Sequence, residues 1–139
     1  MTKIEFSKGF PNILQPRVSA ILNDLVWLLP SWMQLLEVQY DADNKENSCW
    51  VIENKTYRFG TLYICGHWAS ENDEHQIQQL IHELIHFYTS PTKSYFLDVL
   101  ERITTDGIIK NLIKDELTTK IESCTEDLAF VIYQKFLGK

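Results

Sequence analysis

Residues His82-Glu83-Leu84-Ile85-His86 form the pattern HExxH. Its chemistry depends on the spacing. On a helix, positions i and i+4 lie one turn apart on the same face, so two imidazoles can meet one metal ion. Zinc lowers the pKa of a water beside it, and the intervening carboxylate can take that water's proton as it attacks a carbonyl. Glu83 can then return the proton to the leaving amine. The five residues therefore point to Zn2+-dependent hydrolysis of a peptide bond, with His82 and His86 as metal ligands and Glu83 as the catalytic base.

The surrounding pattern places this motif on a helix. From Asp73 onward, Ile77, Leu80, Ile81, Leu84, Ile85 and Tyr88 recur at helical spacing, and Pro91 is expected to stop the run. His82 and His86 fall about 100° or more away from that apolar stripe, given 3.6 residues per turn. They face a different surface from the main core. Zinc needs a third protein ligand and an open position. The motif continues Phe87-Tyr88-Thr89-Ser90-Pro91, and no histidine follows His86 in the chain. That excludes the three-histidine classes and leaves a carboxylate from the C-terminal helix.

On these residues the chain resembles a minimal gluzincin, of the kind found among small phage and bacterial HExxH proteins. The resemblance spans roughly residues 33–137 in the order of its elements and is sharp at His82 to His86. It implies a small zincin-like domain, a zinc metallopeptidase activity and a peptide or protein substrate. It also implies a third ligand from a glutamate in the downstream helical region. The matching positions are Glu122 and Glu126. Thr119 to Glu122 fits a capping box, which gives Glu122 a structural role, although Ser123 to Glu126 fits one too. Glu126 is favoured because Ala129 permits close helix approach and Glu126-xx-Ala129 better resembles the ligand helix of these proteins. Thermolysin-like enzymes carry, four residues after the ligand, an aspartate that orients the first histidine. That place holds Phe130 after Glu126, or Glu126 itself after Glu122. If Glu122 is the ligand, Glu126 becomes the carboxylate behind a ligand histidine. Tyr133, two turns beyond Glu126, is the candidate donor to a tetrahedral oxyanion, with simple packing as its other role. By the same resemblance the strand Tyr57 to Cys65 is expected to border the cleft and bind extended peptide. Tyr88 reads as core, His67 as structural and His75 as a surface residue.

The elements that must position these groups follow from periodicity. Pro16 can open a helix in which Val18, Ile21, Leu22 and Leu25 share a face, and Pro30 ends it. Met33 to Tyr40, Cys49 to Glu53 and Tyr57 to Cys65 read as three short strands, the last two joined by a turn at Asn54-Lys55-Thr56. After the metal helix, Tyr95 to Ile103 and about Lys120 to Leu137 read as further helices, with a break near Asp106-Gly107. A helix, then strands, then helices is an α+β order. The 139 residues fit a single domain over 1–139, and 45% apolar content suffices for a core. The turn DADNKEN fails the calcium-loop pattern, since Glu46 stands where glycine is required, and reads as a solvated turn.

Charge and cysteine usage narrow the function. A net charge of -6 argues against nucleic acid or an anionic membrane surface as partner. Cys49, Cys65 and Cys124 form neither a disulfide framework nor a cysteine zinc site. The opening MTKIEFSKGF is unlike a signal peptide, and the apolar stretch Ala20 to Val38 is broken by Asp24 and Pro30. The expectation is a soluble, cytoplasmic protein. Two other readings compete with a peptidase: a zinc-stabilised protein-binding or regulatory module without turnover, and a plain α+β interaction protein. The presence of Glu83 favours the peptidase, because holding zinc does not require it.

Overall fold

The structure, a computed structural model, describes residues 2–54 and 56–138. Its order is β1 (Lys3–Phe6), α1 (Gln15–Leu25), β2 (Leu35–Asp41), β3 (Cys49–Asn54), β4 (Phe59–Cys65), α2 (Asp73–Ile103) and α3 (Gly107–Leu137). The four strands form one mixed sheet in the order β1-β2-β4-β3. β1 and β2 are parallel, as are β2 and β4, while β3 runs antiparallel to β4 along the outer edge. The class is α+β, with four strands where the pattern predicts three. β1 escapes the sequence reading because KIEF is only four residues long and alternates exposed with half-buried positions. Within the turn Asn54-Lys55-Thr56, Lys55 lies outside the described residues, and Asn54 Oδ1 accepts from the Tyr57 amide. The DADNKEN segment is a solvated turn, with Asn44 Oδ1 accepting from the amides of Glu46 and Asn47.

Alternation builds the core. Leu36 and Val38 of β2 and Leu62 and Ile64 of β4 are buried on one sheet face. α1 meets that core with Val18, Ile21, Leu22 and Leu25, and α2 with Leu80, Ile81, Leu84 and Phe87. Gly60 sets how closely α2 lies on the sheet. A Cβ built there would stand 2.6 Å from Phe87 Cε1 and 2.7 Å from Met33 Cε. The start of α2 is fixed by Asn72, whose side chain accepts from the His75 amide, and by an ion pair between Arg17 and Asp73 at 2.9 Å. Buried Gln76 donates to the carbonyl oxygens of Trp68 and Glu71, tying the preceding loop to the helix.

The helices depart most from expectation. α2 does not stop at Pro91 but runs through it to Ile103, so Tyr95 to Ile103 continues the same helix. A proline removes one helical N–H, here the partner of the Phe87 carbonyl, and the turns on either side can absorb the loss. α3 is likewise one helix from Gly107 to Leu137, capped by Asp106 through the amides of Ile108 and Ile109. Thr119 therefore lies mid-helix, where its hydroxyl donates to the Asp115 carbonyl, and neither capping box in this segment marks a helix start. α2 and α3 form a long antiparallel hairpin linked through Thr104, Thr105 and Asp106. Tyr88, expected in the core, is 50% exposed, and Phe87 is buried in its place. Among the described residues no helix is long and apolar enough to cross a membrane.

Gly60→Ala tests the close packing of α2 on the sheet. The methyl meets a buried aromatic ring, so the variant is expected to lose about 1–3 kcal/mol of unfolding free energy. Chemical denaturation at constant m-value reads this directly, and an unchanged midpoint would contradict the close approach.

Candidate metal centre

The antiparallel hairpin brings His82 and His86 of α2 against the middle of α3. The two Nε2 atoms lie 3.1 Å apart. Glu122 Oε2 stands 3.5 Å from His82 Nε2 and 3.4 Å from His86 Nε2. These three donors form a nearly equilateral triangle. Ligands at about 2.0–2.1 Å from a tetrahedral zinc are separated by roughly 3.3–3.4 Å, the edge of that tetrahedron. Among the described residues, His82, His86 and Glu122 are the group whose ligand atoms converge in this way.

Glu126, favoured from the sequence as the third ligand, occupies a different place. Its Oε2 lies 2.9 Å from Nδ1 of His82, on the far side of the ring from Glu122. The four-residue step from Glu122 to Glu126 follows one turn of α3, so the two carboxylates flank opposite nitrogens of one imidazole. A carboxylate at this distance can accept a hydrogen bond from Nδ1–H, the tautomer that would leave Nε2 with a lone pair. That lone pair faces His86 Nε2 and the Glu122 carboxylate. A cation at the centre of the triangle would satisfy all three donors. With its side chain 73% exposed, Glu126 orients the ring more than it stabilises the fold. Nδ1 of His86 meets the Thr89 hydroxyl at 3.3 Å. Thr89 is a contact the sequence reading missed, although its i+3 position from His86 is the available signal.

Glu83 is buried at 8% exposure and lines the same cleft. Burial first, and the nearby Glu122 charge second, push its carboxyl up to about 8. Burial lowers the His86 pKa, opposed by Glu122 and aided by His82 and Lys93. A divalent cation beside Glu83 would oppose both causes of its rise.

The cleft has a volume of about 590 Å³. α2 supplies Gln79, His82, Glu83 and His86, and α3 supplies Glu122. The opposite wall is β3 and the chain entering it, including Glu46, Ser48 and Trp50. The bordering strand is therefore β3, not Tyr57 to Cys65. β4 is paired on both sides, to β2 and β3, and has no free edge to offer. Ser48 Oγ hydrogen-bonds the Glu71 carboxylate and His67 Nε2, the latter at 3.2 Å. This contact pins the entry of β3 to the loop before α2, giving His67 the structural place expected of it. His75 is exposed, also as expected.

Tyr133 does not reach the cleft. It is buried among the core residues, 3% exposed, and its phenol pKa is raised by burial and by the Glu74 charge. Glu74 lies in the first turn of α2, about two turns before His82, so the antiparallel hairpin carries Tyr133 away from the turn that bears the two histidines. The packing role is the one the structure gives it.

Comparison with protein-family models, with curated proteins and with solved structures finds no match for this chain. The reading of the centre rests on its own geometry.

The three thiols differ sharply in setting. Cys49 and Cys65 are buried, and burial raises both pKa values, Cys65 to about 11, whereas Cys124 is exposed on α3. Alkylation of the native protein at pH 8 is expected to modify Cys124 alone, with Cys49 and Cys65 reacting only on unfolding. Peptide mapping checks this, and rapid labelling of Cys49 would show the cleft wall to be open.

Proposed function

We propose that this protein is a zinc-dependent peptidase of gluzincin type, with His82, His86 and Glu122 as metal ligands and Glu83 as the general base. The observation that carries the reading is the triangle of donors, 3.1, 3.4 and 3.5 Å on its sides, beside a buried glutamate in an open cleft. Bound there, zinc would polarise a substrate carbonyl and acidify water. Glu83 takes a proton from water in the cleft and returns it to the leaving amine. Glu126 holds His82 in the Nδ1–H tautomer, so that Nε2 remains a ligand. Thr89 does the corresponding work for His86. β3, as the free sheet edge along the cleft, offers main-chain hydrogen bonds to an extended peptide. The zincin-like character of the domain belongs to the same proposal: a sheet edge, the HExxH helix and a glutamate-bearing helix surround one cleft.

A zinc-holding module without turnover accounts less well for Glu83. Burying a carboxyl beside a second carboxylate costs stability, and metal retention does not call for it.

Two predictions separate the roles. Zinc content after dialysis is expected to be one per chain in the wild type and lost in His86→Ala and Glu122→Ala. Glu126→Ala should keep the metal with roughly 10–100-fold weaker affinity. Loss of zinc in Glu126→Ala with retention in Glu122→Ala would reverse the two assignments. For turnover, the zinc-loaded protein is to be incubated with a peptide library and the products read by mass spectrometry. Cleavage is expected, and Glu83→Gln should bind zinc yet cut at least about 10²-fold more slowly. Undiminished cleavage by zinc-loaded Glu83→Gln, or none by the wild type, would sink the peptidase reading.

A further inference from the structure

The outer half of the α2–α3 hairpin carries apolar residues that nothing among the described residues covers. Phe96 is 53% exposed, Ile103 73%, Ile108 76%, Ile109 47%, Leu112 65% and Ile113 45%. Leu100 is buried between the two helices but stands outside the main core cluster. Two grooves run across this part of the hairpin. One, of about 300 Å³, is lined by Phe96, Leu100, Ile103, Ile113 and Leu117; the other, of about 580 Å³, shares Ile113 and Leu117 and is rimmed by Glu116 and Lys120. The shared residues join the two into one surface. It is separate from the metal centre, whose cleft none of these residues lines.

We propose that this surface is an isologous interface at which a second copy of the chain docks, hairpin against hairpin, as a four-helix bundle. Charge identifies the occupant. Residues 92–120 contain five basic side chains (Lys93, Arg102, Lys110, Lys114, Lys120) and five acidic ones (Asp98, Glu101, Asp106, Asp115, Glu116), a net of zero. The whole chain carries -6, so all of its excess negative charge lies outside this segment. Two copies meeting here bring together segments of zero net charge and leave the excess negative charge outside the contact. Lys110 pairs with Glu101 within the hairpin, and on the groove rim Lys120 pairs with Glu116 at 3.7 Å; both rim side chains are exposed, so a symmetry mate's rim of the same two signs can meet them. An anionic membrane is a poorer occupant, because a neutral face on an acidic protein has no attraction to it. Area agrees with a dimer. The six exposed side chains present on the order of 600 Å² of apolar surface, near the ~800 Å² per partner of a standard specific interface. That is the upper end of the largest apolar patch found on a typical monomer, a size that often marks an interaction site. The geometry also suits a bundle: a two-helix hairpin has a single apolar seam, and pairing two seams closes it.

The test is sedimentation equilibrium of the intact protein, with and without zinc, across a concentration series to about 100 µM. The expected result is a dimer of twice the 16.3 kDa chain mass in both conditions. Leu112→Glu and Ile113→Glu replace exposed side chains and should keep the wild-type circular dichroism while weakening dimerisation at least tenfold. Leu128→Glu, also exposed but outside the patch, should leave the dimer intact. A monomeric wild type overturns the proposal. So does a dimer unaffected by either patch variant, or one abolished equally by Leu128→Glu. Flotation of the wild type with phosphatidylcholine–phosphatidylserine vesicles, lost in Leu112→Glu, would overturn it in favour of a membrane. The readout is mass, so it is independent of whether the metal centre hydrolyses peptide.

Discussion

Two imidazole nitrogens and one carboxylate oxygen converge from two helices with side chains only partly open to water. Each donor is a group that gains by meeting a cation, and their spacing matches the edge of a zinc tetrahedron. The rest of the molecule can be understood as the framework that holds this convergence. It requires α2 and α3 to lie antiparallel in one register, so that the turn carrying Glu122 stands opposite the turn carrying His82 and His86. It also requires α2 to be fixed on the sheet. Gly60 permits that contact, and Phe87, between the histidine turn and Pro91, provides it.

A division of labour follows along each helix. The first half of α2 is structural on one side and chemical on the other: Leu80, Ile81 and Leu84 enter the core while His82, Glu83 and His86 line the cleft. α3 shows the same division more sparsely, with Thr125, Ala129 and Tyr133 buried and Glu122 and Glu126 reaching the histidines. Past Pro91 the hairpin leaves the core, and its exposed face becomes apolar. The centre therefore sits where the covered and uncovered halves of the hairpin meet. An interface on the outer half would stiffen the register that sets Glu122 against the two histidines.

Much of this was legible in the sequence because it is periodic or short-range. The HExxH helix, α1 and the three central strands follow from apolar spacing, and the placement of His82 and His86 off the apolar stripe follows from the helical period. What failed was non-local. Pro91 reads as a helix end by local propensity, yet helix packing carries α2 through it. Thr119 reads as a cap only if a helix begins there, and α3 begins at Asp106. The choice between Glu122 and Glu126 turns on the register of α2 against α3, which the sequence does not state: Ala129 pointed to Glu126, whereas Glu122 is the carboxylate that converges with both imidazoles. The pair of roles was nonetheless visible, since carboxylates one turn apart can serve as ligand and orienting group. Tyr133 and the bordering strand were assigned by resemblance. Topology corrected both: β4 is enclosed between β2 and β3, and the antiparallel run of α3 takes Tyr133 to the far end of α2.

The most direct test of the central claim is a crystal structure of the zinc-soaked protein with anomalous scattering measured at the zinc edge. The account predicts one strong peak about 2.0–2.2 Å from His82 Nε2, His86 Nε2 and a Glu122 carboxylate oxygen, with Glu126 still on His82 Nδ1. A peak ligated by Glu126 in place of Glu122, or no peak between the two histidines, would contradict it.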